Sequence, residues 1–397
     1  MSTNIYFLIS KVIMMISRQV NELLTLGKQR VSRNFHTRPK SYNIAHNPIV
    51  FNVKSEKFVI AGKERIVGLW LGAVSASVFT IVWIGGYTRL TKSGLSMVRW
   101  EPHRVLPPMN QAEWEAEFEE YKKSPEWIQV NQHKGMDVNG FKYIFFWEWF
   151  HRIIGRSIGV LFIGPMTYFM ARGYIRPHLR NVLFGLFALG ATQGFIGWWM
   201  VKSGLIDKKK TTEIDKTPRV SPYRLTVHAG NAYFLYGVLL WQTMNLLRRP
   251  QEAVINMKNL HIHNKMRSGL RMITHAFLPV ILLTGFFVAG ISGGNSCNTY
   301  PMVGPHYFLT KNHFMEGIPL WQNFTENKLV AQVNHRTLAS LMTLLVTYKT
   351  LSFLGMSGLT TQARFASALL LAAVWMQLFI GVNTIWRGTP VQWASNH

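Results

Sequence analysis

Two apolar windows of this chain recur at a single spacing, and that recurrence limits the fold more than any other feature. His151-Arg152 and His335-Arg336 each enter a hydrophobic run, and they stand 184 residues apart. Gln193-Gly194-Phe195-Ile196-Gly197 and Gln377-Leu378-Phe379-Ile380-Gly381 share the pattern Q-x-F-I-G at the same interval of 184 residues. Matched intervals in independent windows indicate an internal duplication. The chain therefore reads as two copies of one four-helix unit.

The apolar runs decide the medium. Only 15% of the 397 residues are charged, and long hydrophobic stretches recur, which describes a polytopic membrane protein. Spans are predicted at about 66–87, 143–170, 182–201, 225–247, 272–291, 329–354 and 365–386. They must be helices, because lipid offers no water to satisfy an open backbone. The expected fold is all-α: two tandem four-helix-bundle repeats over 60–250 and 270–397, an eight-helix architecture whose eighth helix is missing. Trp114, Phe118 and Tyr121 recur at helical spacing in the first long loop, so a surface helix is expected there.

Charge and cysteine usage exclude several functions. The formal net charge of +25 resides in segments between hydrophobic runs, which argues against a nucleic-acid interface. The single cysteine, Cys297, excludes an intramolecular disulfide and any cysteine-based metal cluster. Residues 1–55 are basic, with Glu22 the only acid, and rich in Ser, Thr and Asn. They read as a mitochondrial presequence; Lys11 interrupts the apolar stretch that a secretory signal would need. Arginines at 172, 176 and 180 and the basic residues of 248–271 mark one side of the membrane. This places the N-terminus in the matrix, and spans two, four and six enter from the opposite side.

The candidate chemistry lies in the ionisable residues within the spans, which are costly there and so point to function. Glu148 and His151 share a helix face, one turn apart. A Glu–His pair joining two helices is the plain alternative. His151, His228 and His335 fall at similar depths on alternate spans, near the same face. Axial ligation of buried haem explains three such histidines better than separate helix–helix hydrogen bonds do. Duplication requires a fourth ligand, and His397 supplies it: His151 pairs with His228, and His335 with His397. The chain is expected to continue past His397 with some 20 apolar residues. Glu148 shifted by the repeat interval falls on Gln332, so the first site carries a carboxylate and the second a neutral amide. The first half thus reads as catalytic and the second as a redox site.

Residues 85–97 (GGYTRLTKSGLSM), Glu148-Trp149-Phe150-His151-Arg152, residues 218–228 (PRVSPYRLTVH) and Asn334-His335-Arg336 resemble haem A synthases of the mitochondrial type. The resemblance spans about residues 60–397. It implies an inner-membrane oxidoreductase that converts the C8 methyl of haem O to the formyl of haem A, by two hydroxylations and loss of water. It implies haem O between His151 and His228, an iron-containing haem b between His335 and His397, and Glu148 as the essential carboxylate. Arg152 and Arg336 are candidates for haem propionates or for helix-end anchoring. The partners implied are a ferredoxin with its reductase, a haem O synthase and membrane lipid, with room for a homo-oligomer. The family commonly has Glu where this chain has Lys92. A di-haem b electron-transfer protein is the alternative function, but it leaves the Glu148/Gln332 difference unexplained.

Overall fold

The computed structural model describes residues 49–51, 58–99, 101, 105–206, 218–247, 253–255, 257–356 and 359–397. Most of the expected presequence lies outside these residues. The chain divides into two compact units, Met1–Asn52 with Glu252–Asn256, and Val53–Gln251 with Met257–His397. What is described of the first unit is an antiparallel pair of three-residue strands, β1 (Ile49–Phe51) and β2 (Ala253–Ile255).

The second unit is helical; most of its spanning helices extend a few residues beyond the apolar stretches that predict them, while the stretch 272–291 is shared between a π-turn and a shorter helix. These helices are α1 (Glu64–Leu90), α3 (Val138–Ala171), α4 (Pro177–Gly204), α5 (Pro222–Leu247), α7 (Leu278–Gly290), α9 (Lys328–Leu354) and α10 (Thr361–Trp386). Other helices join them: α2 (Gln111–Tyr121), α6 (Met257–Met272), α8 (Leu320–Glu326) and α11 (Val391–Asn396). A π-turn, Ile273–Phe277, runs α6 into α7 as one apolar span, Asn264–Gly290. Asp137 caps α3 by accepting from the Gly140 N–H at 2.8 Å, and Asn327 caps α9 by accepting from Leu329 and Val330. Pro177 opens α4, where its missing N–H costs nothing.

Among the described residues, six helical segments are long and apolar enough to cross a membrane. The remaining long helix, α5, has matching length but carries Arg224, His228, Asn231 and Gln242. A neighbouring helix offsets part of that polarity: Asn231 donates to Gln193 at 2.8 Å. Large apolar side chains point outward on the spans, with Val160 74% and Trp241 64% exposed, as lipid-facing positions require. The chain is an all-α polytopic membrane protein.

The packing order repeats. In the first set α1 packs on α3, α3 on α4, α4 on α5, and α1 on α5. In the second set α7 packs on α9, α9 on α10, and α10 on α11. The sets join twice, through α5 against α7 and through α11 against α1. A buried apolar cluster that includes Val67, Leu71, Val74, Phe162, Leu183 and Leu239 holds the first set together. Gly68 permits the close approach of α1 and α5, since a Cβ there would lie 2.7 Å from Leu247 Cδ2.

A six-residue helix, α11, leads directly into His397. Pro390 starts that helix, and the His397 N–H bonds to the Trp393 carbonyl.

Candidate functional site

The four histidines come together as two pairs. The rings of His151 and His228 have centroids 6.5 Å apart at 62°, and those of His335 and His397 are 6.3 Å apart at 76°. A first-row metal–imidazole bond is about 2.0 Å, and the ring centre lies about 1.1 Å behind the nitrogen. Two imidazoles on opposite sides of one iron therefore stand about 6.2 Å apart. Both pairs meet this spacing. Among the described residues no group of three or more His, Cys, Asp or Glu converges to hold a metal ion. An ion held here would have two protein ligands, and a porphyrin supplies the four that remain.

Each imidazole rests against a glycine of the span before it. A Cβ on Gly85 would lie 3.0 Å from His151 Cε1, and one on Gly197 would lie 3.2 Å from His228 Cε1. The same contact pairs Gly285 with His335 at 3.0 Å and Gly381 with His397 at 2.5 Å. These glycines are seats for the rings: any side chain there displaces the imidazole. The shared glutamines act alike. Gln193 donates to the His228 carbonyl at 2.8 Å, and Gln377 donates to the His397 carbonyl. Sequence reading found Q-x-F-I-G as a repeat marker; its glutamine and final glycine both bear on a candidate ligand.

The other ring nitrogens differ between halves. Nδ1 of His151 and Nδ1 of His228 are buried without a hydrogen-bond partner. His335 Nδ1 lies 3.0 Å from Thr284 Oγ1, and His397 Nδ1 lies 3.4 Å from Gln377 Nε2.

Glu148, only 4% exposed, is held on both oxygens. Its Oε2 accepts from Ser96 Oγ at 2.7 Å and from the Met97 N–H at 2.9 Å, and its Oε1 pairs with Arg152 at 2.7 Å. Gln332 occupies the matching place in the second half but meets the opposite polarity. Its Nε2 donates to the carbonyls of Gly294 and Cys297. The two loops share one design, since Lys92 and Ser292 both adopt left-handed backbone, φ 55° and 56°, at the helix exit. The sequence offered two roles for Arg152 and Arg336, and the structure places both on loop backbone. Arg152 reaches the Met97 carbonyl at 3.4 Å, and Arg336 binds those of Thr299 and Met302 at 2.6 and 2.7 Å.

A buried polar group that sequence reading missed lies in the first long loop. Tyr121 is fully buried; it donates to Glu126 Oε2 at 3.0 Å and accepts from Asn131 Nδ2 at 2.7 Å. Helix α2 is therefore an integral part of the structure, packing Phe118 and Tyr121 against Phe141 and Phe145 at the start of α3. Burial pushes the Glu126 carboxyl up to about 7, against the hydrogen bond from Tyr121, and the charge of Glu148 adds to the rise. The only sequence signal was an acid beside Trp127.

Residues 68–397 match the cytochrome oxidase assembly protein family. The chain is 38% identical to heme A synthase COX15 of Saccharomyces cerevisiae over 371 residues, covering 88% of this chain and 74% of the yeast protein. It is 38% identical to heme A synthase COX15 of Arabidopsis thaliana over 339 residues, covering 84% and 71%. Heme A synthase of Allorhizobium ampelinum is also 38% identical, over 335 residues, covering 84% and 86%. With paired histidines on matching spans and this likeness along its length, the chain belongs to the cytochrome oxidase assembly protein family that includes the heme A synthases.

Proposed function

We propose that this chain is a haem A synthase, oxidising the C8 methyl of haem O to a formyl group for cytochrome c oxidase assembly. The observation that carries the reading is the pairing of two imidazole sets at about 6.3–6.5 Å, with Glu148 one turn from His151 where Gln332 stands one turn from His335. His151 and His228 are the proposed holders of haem O, and His335 and His397 those of a resident haem b. When bound, that haem supplies one-electron redox chemistry. Two hydroxylations take the methyl to a geminal diol, and loss of water leaves the aldehyde. This four-electron oxidation of the substrate requires an external oxidant, with a ferredoxin supplying the electrons that a monooxygenase-type use of dioxygen consumes.

The chain's own residues do the rest. The four imidazoles fix position by ligation. Glu148 places negative charge one turn from His151, in a pocket where low dielectric strengthens its field on developing positive charge. Its bonds to Ser96 and Met97 and its pair with Arg152 fix the carboxylate in place. Ferredoxin with its reductase, and a haem O synthase, are the proposed partners. The proposed location is the mitochondrial inner membrane with the N-terminus in the matrix, residues 1–55 serving as presequence.

Extraction of haem from the purified chain tests the reading. Haem O or haem A beside haem b is the expected result. Haem b alone would favour the electron-transfer protein.

A further inference from the structure

We propose that Thr284 is a positioning residue that makes the His335 site retentive, and that Ile84, at the matching place, keeps the His151 site exchangeable. The inference rests on the haem reading above. Ile84 immediately precedes Gly85, the seat of His151, as Thr284 precedes Gly285, the seat of His335. The two residues therefore occupy the same register relative to the imidazole. Thr284 donates its own hydroxyl proton to the Ile281 carbonyl at 2.9 Å, which leaves its oxygen free to accept. The 3.0 Å contact with His335 is then an Nδ1–H donating to Thr284 Oγ1, with the Ile281 carbonyl, which Thr284 occupies, as the neighbouring acceptor.

That bond has three effects. It sets the tautomer, so the lone pair of Nε2 faces the iron. It fixes the plane of the ring. It also moves electron density onto the imidazole, making it a stronger donor that favours ferric over ferrous iron. Ile84 offers nothing of the kind. It is buried and apolar, and His151 Nδ1 is buried with no partner, so Gly85 is left as a seat without a hydrogen bond. The second ring of the first site, His228, likewise has a buried and unpartnered Nδ1. A weaker His151 suits a site that must release its product, and a stronger His335 suits a site that keeps its cofactor through every turnover; His397, whose Nδ1 faces the Gln377 amide nitrogen, takes no part in the contrast.

The test compares the full-length chain with Thr284→Val, Thr284→Ser and Ile84→Thr, purified in nanodiscs with haem b bound. Haem transfer to apomyoglobin and the midpoint potential are read at each site. Thr284→Val should keep a low-spin bis-histidine spectrum while haem leaves the second site about tenfold faster, the lower end of outer-sphere effects on metal affinity. Its ferric-to-ferrous affinity ratio should fall about tenfold, an upward midpoint shift of about 59 mV for one electron. Thr284→Ser, which keeps the acceptor, should restore both values, and Ile84→Thr should slow haem release from the first site and lower its midpoint.

Unchanged release and midpoint in Thr284→Val, or failure of Thr284→Ser to restore them, overturns the proposal while leaving the function intact. Should Thr284→Val not fold, Ile84→Thr decides, and an unchanged first site overturns it. A wild-type chain with no bis-histidine haem overturns the function and this inference together.

Discussion

The two halves of this molecule use the same scaffold and differ in what surrounds the histidines. Each seats its rings on glycines, ties one ligand carbonyl with a glutamine, and exits its first span through a left-handed residue. The differences are polar. In the first half the loop turns a hydroxyl and an N–H toward a carboxylate, and in the second it turns carbonyls toward an amide. Arg152 pairs with Glu148, whereas Arg336 meets loop carbonyls and the Cys297 sulfur. On the proposed reading, one repeated frame would hold two haems, and a few polar differences give the two places unequal surroundings.

The largest test of that inequality is Glu148→Gln, which makes the first half resemble the second. Haem A formation should fall by about 10²-fold or more, the usual scale for a lost acid–base or charge-stabilising group. Haem content and the low-spin spectrum should persist. Chromatography of extracted haems checks both at once: haem O or a hydroxylated intermediate should accumulate. Undiminished haem A would remove Glu148 from the chemistry and leave it as the latch of loop 91–97.

A second test uses Glu126 in the first long loop. Its folded pKa of about 7 lies above the ordinary 4.5, so the folded state holds the proton more tightly than the unfolded one. The stability this group contributes is fully present below about pH 4.5 and is lost as pH rises through about 7. Glu126→Gln, neutral throughout, should flatten that loss, with a difference on the order of 2–3 kcal/mol by pH 8. Chemical denaturation from pH 4.5 to 8 reads it, and parallel curves for the two proteins would place the proton elsewhere.

The glycine seats give a smaller and more uniform effect, and they ask whether the halves are alike where they look alike. Gly85→Ala and Gly285→Ala each put a methyl 3.0 Å from an imidazole carbon. Haem affinity at the corresponding site should drop about tenfold, as when an outer-sphere support is lost. Gly164→Ala and Gly190→Ala, with open space around the added carbon, are the controls. A titration of haem into the apoprotein measures all four, and equal affinities in seat and control variants would deny the glycines this role.

Much of this was legible in the chain, for physical reasons that also mark where reading stops. Lipid forces long apolar helices, so six spans could be counted from hydropathy, while α5, with Arg224, His228, Asn231 and Gln242, falls outside that count. A repeat interval is visible wherever sequence similarity survives, so His335 could be matched to His151, whereas His397, 169 residues from His228, was reached only by asking for a fourth ligand. The partner of a ring nitrogen could not be read at all. Thr284 and Ile84 acquire meaning only through their register beside Gly285 and Gly85, and the 184-residue interval does not align them, because the loops between differ in length. Glu148 stood out as an acid in an apolar run, but its bonds to Ser96 and Met97 depend on how a distant loop folds back. Glu126 sits in a stretch that reads as a surface connection until Tyr121 is seen to be buried.

The smallest effect expected concerns the caps of the two matching helices, α3 and α9, that carry His151 and His335. Asp137 is exposed, and its cap is one hydrogen bond to the Gly140 N–H, supplemented by a longer contact from Asn139. Asn327 is buried; besides capping α9 it donates to the His313 carbonyl at 2.8 Å and to Asn323 Oδ1 at 3.1 Å. Removing an exposed cap costs about 1 kcal/mol, because water replaces the lost acceptor. Removing a buried one also strands its partners, at about 1–3 kcal/mol for each unsatisfied group. Asp137→Ala should therefore lower stability by about 1 kcal/mol and leave haem binding at His151 unchanged. Asn327→Ala should cost at least twice as much and loosen loop 313–327. Thermal unfolding of the two variants, with haem absorbance followed alongside, makes the comparison. Equal losses would mean that water reaches Asn327 as readily as Asp137, and that the two histidine helices start alike after all.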